Sequence, residues 1–218
     1  MILRLHIIII LAVAVSACGI SDSQWEKARV QLSEIKKNDQ RYRPLMDSAG
    51  RAEGWGSKTV EALWEKQKAL DSANLVAIDR LISQYGYPSK LKVGDMAEVP
   101  FLVIQHADDS AMATFYEVVI GAGKNGDLRM RDVAQFQDHV LMVNKQPQEY
   151  GTQIWIDFKE YKATGERYDS VFLWPVRDRT QLNEKRLSVG LDSLESHLRR
   201  YGIDPAKGYL LRRSTTVL

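Results

Sequence analysis

The chain has 218 residues, a formal net charge of +2 and 27% charged residues, with both signs interspersed along its length. A nearly neutral, evenly mixed charge argues against a nucleic-acid-binding protein and against a polybasic protein of membrane surfaces. No internal repeat, low-complexity block or long Pro/Gly/Ser linker divides the sequence, so we predict one globular domain over residues 25–218.

Residues 1–17 have the composition of a cleaved secretory signal peptide. Arg4 supplies a positive charge, an apolar core of about nine residues runs from Ile7 to Val15, and small residues follow it. A membrane-spanning helix needs roughly 20 mainly apolar residues, so this segment is too short to span. We therefore predict export of the chain and removal of this segment.

Cys18 is the one cysteine of the sequence, and it directly follows the predicted signal peptide. The join Val15-Ser16-Ala17-Cys18 resembles the lipobox of bacterial lipoproteins, in which the cysteine receives fatty acyl chains such as palmitate and becomes the first residue. Several acyl chains hold a protein stably on a membrane. Residues 18–24 would then be the lipidated cysteine and a short tether.

The same resemblance predicts the location, because Gly19, which is not aspartate, favours the periplasmic face of the outer membrane. Membrane contact through this lipid is the first partner that we predict. Two alternatives remain open, namely cleavage by an ordinary signal peptidase and retention of the segment as a weak anchor.

Helical periodicity dominates the first two thirds of the chain. Apolar residues recur at three- and four-residue spacing in five segments. These are Trp25 to Ile35, Val60 to Leu81 after the N-cap Ser57 and before Gly86, Val99 to Asp108 after a capping box of Asp95 and Glu98, Met112 to Val119, and Met130 to Phe136. The third segment could instead be a strand, because it contains Pro100 and β-branched residues.

After residue 139 the apolar period changes. Residues 140–143, 148–156 and 170–176 are separated by turn sequences and indicate three antiparallel strands. Helical spacing returns at 181–202, with a break near Gly190 and a stop at Gly202. We predict an α+β fold, a mostly helical single domain with a small three-stranded antiparallel sheet in its C-terminal half.

Well-known chemical motifs are missing from the sequence. It contains no phosphate loop, no paired cysteines, no HExxH, no GxSxG and no dinucleotide fingerprint, so we assign no cofactor and no metal. A metal site made of His106, Asp108 and His139 ranks third among the alternatives, because its spacing matches no known ligand signature.

Two short elements, QHAD at 105–108 and YGTQ at 150–153, resemble a bacterial family catalogued as a domain of unknown function. The resemblance also takes in residues 38–43, Asp71, Asn74, 85–89, 92–95, DHV at 138–140 and 182–198. His139 departs from the pattern, since the family usually has arginine there. The resemblance implies the fold and a set of candidate residues, but no activity.

Polar residues at the ends of apolar segments form the candidate ligand-binding set. They are Asp39, Gln40, Arg43, Asp71, Asn74, Gln105, His106, Asp108, Tyr150, Thr152 and Gln153. Burying such residues is costly unless they bond to one another, and networks of this kind often line ligand sites.

Several of these residues have a structural alternative. Asp108 or Asp109 could cap the helix that follows, and Asp71 with Asn74 could brace two helices. His106 could be a hydrogen-bonded core histidine. We expect His106 and Gln153 to face a pocket and Asp71 to act as a brace.

Two classes of function follow. The first is a membrane-anchored lipoprotein that binds a small polar ligand or an envelope protein. The second is a hydrolase-like enzyme in which His106 is the general base, Asp71 or Asp138 orients it, and Tyr150 or Gln153 polarises the substrate. His106, Asp138 and Tyr150 are thus the catalytic candidates, and one open pocket containing His106, Asp71 and Tyr150 would favour the enzyme.

Overall fold

The computed structural model of the protein describes residues 20–161, 166–207 and 209–213. The predicted signal peptide and Cys18 lie outside the described residues. The α-helices are α1 (Asp22–Asp39), α2 (Arg43–Glu53), α3 (Lys58–Tyr85), α4 (Lys90–Val93), α5 (Val99–Ile104), α6 (Asp109–Thr114), α7 (Tyr116–Lys124), α8 (Met130–Val143), α9 (Leu182–Ser188) and α10 (Leu194–Arg200). A 3-10 helix spans Gly94–Glu98, and the strands are β1 (Ile154–Tyr161), β2 (Glu166–Leu173) and β3 (Tyr209–Arg213).

Local sequence signals set the ends of the long helices. Ser21 caps α1 in a capping box with Gln24, and the Ser57 side chain caps α3 as predicted. Gly86 ends α3 with a φ of 74°, a conformation that glycine adopts without steric cost. The predicted break and stop near Gly190 and Gly202 are also confirmed, since both have positive φ and flank α10.

The predicted capping box of Asp95 and Glu98 is wrong. Asp95 lies inside the 3-10 helix, and no side-chain cap bond forms at the start of that helix or of α5. Pro100 in the first turn fixes the start of α5 instead, because proline fits the first helical positions, where its missing N–H is not needed. The helical interpretation of this segment is confirmed.

Helix α2 was not predicted from the sequence. It also begins with a proline in its first turn, and it buries only Met46, Ala49 and Gly50. These three buried residues are small or flexible, so they give only a weak helical periodicity. The proline was therefore the better local sign that a helix begins here.

The small antiparallel sheet is confirmed, but only two of the three predicted strands are present. Residues 140–143 continue α8 instead, where Val133, Phe136 and Val140 are buried on one face. Packing of this face against the core overrides the β-propensity of the apolar run. Strand β3, near the end of the chain, pairs with β2 and gives the order β1-β2-β3.

Two clusters of buried apolar residues hold these elements together. The larger one joins α1, α3, α5, α7 and α8 through residues such as Leu32, Ile78 and Ile104, all completely buried. The smaller one joins β2 to α10 through Val171, Leu173 and Leu198, with Ile203 beside them. Each fully buried aliphatic side chain contributes about 1.5–3 kcal/mol. No helix in the described part of the chain is long and apolar enough to cross a membrane.

Candidate functional site

Helices α1, α2 and α3 and the turn after α5 bring five polar residues together, and we call them the Asp39 cluster. Asp39 ends α1, Arg43 begins α2, Gln67 and Asp71 lie one turn apart on α3, and His106 follows α5. Hydrogen bonds and ion pairs link all five to one another.

The carboxylate of Asp39 is the centre of this cluster and is 1% exposed. One of its oxygens lies 2.9 Å from Nδ1 of His106. Its other oxygen accepts a hydrogen bond of 2.6 Å from Gln40, and Arg43 lies 3.5 Å away. Burial alone would raise the pKa of Asp39, but the hydrogen bond and charge of His106, with Gln40 and Arg43, hold the pKa below its ordinary value.

Asp71 bonds to Arg43 of α2 and to Gln67 of its own helix. Nη2 of Arg43 lies 2.8 Å from each of its carboxylate oxygens. Gln67 donates to Asp71 at 2.7 Å and to the carbonyl of Asp39 at 2.9 Å, while its own oxygen accepts from the backbone N–H of Tyr42 at 3.0 Å. Gln67 is fully buried, so these contacts connect the start of α2 to α3.

Asn74 and Asp108 make local structural contacts. The buried Asn74 amide donates to the carbonyl of Ile35 at 3.3 Å, which links α3 to α1. Asp108 caps α6 by accepting from the backbone N–H of Ala111 at 2.9 Å. Such a cap is worth about 1 kcal/mol.

The metal alternative made of His106, Asp108 and His139 is not assembled. His139 lies 3.1 Å from Asp109, and His106 contacts Asp39 instead. Across the described ranges, no group of three or more His, Cys, Asp or Glu side chains is placed to hold a metal ion.

A second polar assembly surrounds the YGTQ segment, which lies before β1 and has no regular structure. The carboxylate of Asp138, on α8, is fully buried and accepts from the backbone N–H groups of Glu149, Tyr150 and Thr152 at 2.7, 3.0 and 2.9 Å. The hydroxyl of Thr152 donates a fourth bond at 2.9 Å. Burial raises the pKa of Asp138 although these donors oppose the shift. We call Asp138 and residues 149–152 the Asp138 clamp.

Three buried residues that the sequence analysis missed support the clamp. Arg186, on α9, donates to the carbonyls of Tyr150 and Gly151 at 2.6 and 2.9 Å. Gln148 accepts from the N–H of Gln153 at 2.8 Å and donates to its carbonyl at 3.1 Å. His197, on α10, lies 3.0 Å from the carbonyl of Thr152.

The side chains of Tyr150 and Gln153 lie at the edge of this assembly. The ammonium of Lys185 is 4.9 Å from the centre of the Tyr150 ring, and burial raises the pKa of the Tyr150 hydroxyl. Gln153 donates to the carbonyl of Gln135 at 3.2 Å and to the hydroxyl of Thr152 at 3.0 Å. The clamp thus uses mainly the backbone of the YGTQ segment.

The three catalytic candidates do not converge. His106 contacts Asp39, whereas Asp138 is occupied by backbone N–H groups of residues 149–152. His106 and Tyr150 line neither the cavity beside α5 and α8 nor the cavity between α2 and α3.

A cavity of about 580 Å³ lies between the end of α1, α5 and α8, and we call it the α5–α8 cavity. Phe101, Met112 and Phe136 supply apolar walls. Its polar lining contains two candidates from the sequence, Gln40 and Gln105. The polar lining groups that the sequence analysis did not select for binding are Lys36, Glu98, Arg129, Asp132, Gln135 and His139.

The charged lining of this cavity is only partly paired. Arg129 and Asp132 form an ion pair at 2.7 Å. Among the described residues, Lys36 and Glu98 belong to no ion pair, so one cation and one anion remain for a ligand.

Comparison with protein families gives one match. The family described as "Family of unknown function (DUF6624)" matches residues 29–209. The chain belongs to the DUF6624 family. No curated protein and no solved structure matches it.

The part of the chain matched to DUF6624 contains both polar assemblies and the α5–α8 cavity. In this DUF6624 chain, Gln67 lies seven residues after Val60 and seven before Asn74, all three buried on α3. This spacing is a signal that could have placed Gln67 on the inner face of the helix. Arg186 and Gln148 carry no comparable signal, because most of their partners are backbone groups, which side-chain identity does not mark.

Proposed function

We propose that this protein is a lipid-anchored lipoprotein of the bacterial cell envelope whose domain binds a small polar ligand in the α5–α8 cavity. The observation that carries the proposal is the convergence around one cavity of Gln40 and Gln105 with Lys36 and Glu98, which belong to no ion pair among the described residues. Known ligand sites have volumes of roughly 300–1,000 Å³, apolar walls and a few convergent polar groups.

The lining indicates what kind of ligand fits. Phe101 and Phe136 pack with ring centroids 5.8 Å apart and offer an apolar surface. Lys36 complements a carboxylate or phosphate, Glu98 complements an ammonium or amide, and the glutamines can donate and accept hydrogen bonds. A small molecule with both polar and apolar parts, such as an amino-acid derivative or short peptide, matches this combination.

Binding is tested by calorimetry of the purified protein with a panel of amino acids, short peptides, sugars and nucleosides. Lys36→Gln should weaken binding of the ligand at least tenfold, or about 1.4 kcal/mol. Lys37→Gln is the matched control, because Lys37 is the next residue on α1 and pairs with Glu34 instead. If Lys36→Gln and Lys37→Gln bind the ligand with equal affinity, the ligand does not bind in the α5–α8 cavity.

The anchor is supported by the lipobox-like sequence ending at Cys18. Labelling cells with a fatty-acid analogue should mark the wild-type protein and leave Cys18→Ser unmarked. Density-gradient fractionation should then place the labelled protein with the outer membrane. Equal labelling of wild type and Cys18→Ser would contradict the lipoprotein assignment.

Hydrolysis is the second candidate function, and the contact between Asp39 and His106 favours it. A carboxylate bonded to one ring nitrogen orients a histidine whose other nitrogen can accept a proton. The test is turnover of an ester and amide panel by wild type and His106→Gln. Loss of the wild-type activity in His106→Gln would establish His106 as the general base. Absence of turnover by the wild type would contradict the hydrolase function.

A further inference from the structure

Two exposed tryptophans border a second cavity, which lies between α2 and the start of α3. Trp55 is 63% exposed and Trp64 is 44% exposed. The cavity has a volume of about 700 Å³, and Met46 and Val60 form its apolar floor. We call it the α2–α3 cavity. Large aromatic side chains left exposed around a concavity mark binding surfaces, because their burial is strongly favourable.

Trp55 is fixed in place by Gly50. A Cβ atom at Gly50 would lie 2.7, 2.8 and 2.9 Å from the Cδ2, Cε3 and Cε2 atoms of the indole. Three bonded ring atoms at nearly equal distances mean that the flat face of Trp55 covers Gly50. One face of the indole therefore rests on α2, and the exposed fraction of the side chain leaves its other surface available to a ligand.

Two carboxylates line the same cavity, Asp47 from α2 and Glu61 from α3. Within the part of the chain that the structure describes, neither belongs to an ion pair. Arg43 also lines the cavity, but its Nη2 lies 2.8 Å from Asp71 and 3.5 Å from Asp39, so its charge is already balanced. The local charge of the cavity is therefore negative.

Tryptophan faces combined with negative charge select for organic cations. The indole face attracts a cation through its quadrupole, most strongly where water is excluded, and recognises quaternary ammonium groups in particular. The carboxylates repel anions, and a neutral sugar leaves both of them uncompensated. A bare metal ion such as Ca²⁺ takes six to eight oxygen ligands, more than two carboxylates supply.

We propose that the α2–α3 cavity binds a quaternary or alkylated ammonium group. The group lies against Trp55 and Trp64, its methyl groups contact Met46 and Val60, and Asp47 and Glu61 neutralise its charge. This site is separate from the α5–α8 cavity, so either proposal can fail without affecting the other.

The test uses the full chain, purified in a non-ionic polyoxyethylene detergent, and choline as the probe. Binding is followed by calorimetry and by tryptophan fluorescence. The neutral isostere 3,3-dimethylbutan-1-ol has the same shape without the charge, and it should bind at least tenfold more weakly, which corresponds to about 1.4 kcal/mol. Equal binding of choline and its isostere would show a merely apolar cavity and overturn the proposal.

Variants assign the binding to these residues. Trp64→Ala should weaken choline binding at least tenfold and Glu61→Gln several-fold. Trp155→Ala is the matched control for the first, because Trp155 is also 44% exposed but does not line the cavity. Asp79→Asn, an exposed carboxylate on α3, is the control for the second. If Trp64→Ala fails to fold, Glu61→Gln still tests the proposal, because it is a nearly isosteric change at the surface.

Comparison of choline with glycerophosphocholine shows whether the ammonium group belongs to a free small molecule or to a lipid headgroup. Stronger binding of choline supports a free cation, and stronger binding of glycerophosphocholine supports a lipid headgroup. No saturable signal with either compound up to about 100 mM, a hundredfold above a millimolar Kd, would overturn the proposal. Saturable binding of methyl glucoside in their place would also overturn it.

Discussion

The carboxylate of Asp39 lies 2.9 Å from Nδ1 of His106 and joins the end of α1 to the turn after α5. Asp39 is buried, whereas the His106 side chain is 27% exposed. His106 thus bonds to a buried carboxylate that water cannot reach. Removal of His106 leaves that carboxylate with Gln40 and the more distant Arg43.

We expect His106→Ala to lower the free energy of unfolding by about 1–3 kcal/mol, because a buried carboxylate loses a hydrogen-bond partner. The sequence led us to expect His106 to face a pocket. Its contact with a buried carboxylate now indicates a structural contribution.

A double-mutant cycle with Asp39→Asn and His106→Gln, measured by denaturant unfolding, isolates this pair. Coupling of at least about 1 kcal/mol is expected for two side chains in direct contact. Additive effects of the two substitutions would show that the contact contributes nothing to stability.

Gly151 should resist substitution because of both its conformation and its surroundings. Its φ is 66°, and a Cβ there would lie 3.2 Å from Leu194 and 3.4 Å from Val176. We expect Gly151→Ala to cost about 1–3 kcal/mol, from backbone strain and overpacking together.

Gly121→Ala is the matched control for Gly151→Ala. Gly121 lies inside α7, and nothing lies within 4 Å of the added Cβ. Alanine is favoured over glycine inside a helix, so this variant should gain about 0.5–1 kcal/mol. Similar losses of unfolding free energy at both positions would refute the explanation for Gly151.

His197 should make stability depend on pH near neutrality. Burial, then the charge of Arg186, lowers the pKa of His197 below its ordinary value. Arg200 donates to Nδ1 of His197 at 3.1 Å, which requires that nitrogen to be unprotonated, while Nε2 faces the carbonyl of Thr152. The unfolded chain therefore binds the proton more readily than the folded one.

The contribution of His197 is complete above about pH 6.5, the ordinary histidine pKa, and is lost as the pH falls toward the lowered pKa of the folded state. His197→Gln keeps a donor for Thr152 but does not titrate. Between about pH 7.5 and pH 5.5 the wild type should lose more unfolding free energy than this variant.

Tyr201→Leu serves as a control, since it removes a ring 5.3 Å from His197 and leaves the imidazole in place. It should lower stability by a similar amount at both pH values. If His197→Gln follows the same pH dependence as the wild type, His197 does not titrate in the way its surroundings indicate.

Local signals explain which parts of the fold the sequence predicted. The N-cap Ser57, the stop at Gly86 and the three- and four-residue spacing act within one element, and they placed α1 and α3 correctly. Residues 140–143 were assigned to a strand because a short apolar run fits a strand as well as a buried helix. Only packing on the helical core decides between the helix and the strand.

The polar assemblies depended on contacts that are distant in the sequence. Asp39 and His106 are 67 positions apart, so single-sequence spacing could not pair them. Asp138 was selected as a catalytic candidate, but its partners are mainly backbone N–H groups, and side-chain identity says nothing about those. Buried polar residues such as Gln67 and Arg186 were missed because polar residues are usually exposed.

The two clusters of buried apolar residues should unfold together. The large helical cluster and the smaller cluster of β2 and α10 are separate sets of buried residues. Asp138 connects them, because it lies on α8 and holds the segment that leads into β1. Trp174, at the end of β2, adds a bond of 2.8 Å to the carbonyl of Gln146.

Because the Asp138 carboxylate is fully buried and its hydrogen bonds are charge-assisted, we expect the wild type to unfold in a single thermal transition. The transition should not change with reductant, since the chain has one cysteine and can form no internal disulfide. Two separated transitions in the wild type would mean that the clusters are independent folding units.

Asp138→Ala should separate the two transitions, since it leaves the backbone N–H groups of Glu149, Tyr150 and Thr152, which are buried or partly buried, without their acceptor. Each unsatisfied buried group costs about 1–3 kcal/mol. Asp132→Ala is the control, because Asp132 is a carboxylate on the same helix that pairs with the nearby Arg129 and Arg131. Hydrogen exchange should show residues 171–203 opening before α1 and α3 in Asp138→Ala, and together with them in Asp132→Ala. A single transition in Asp138→Ala, with uniform exchange, would show that other contacts couple the sheet to the helical core.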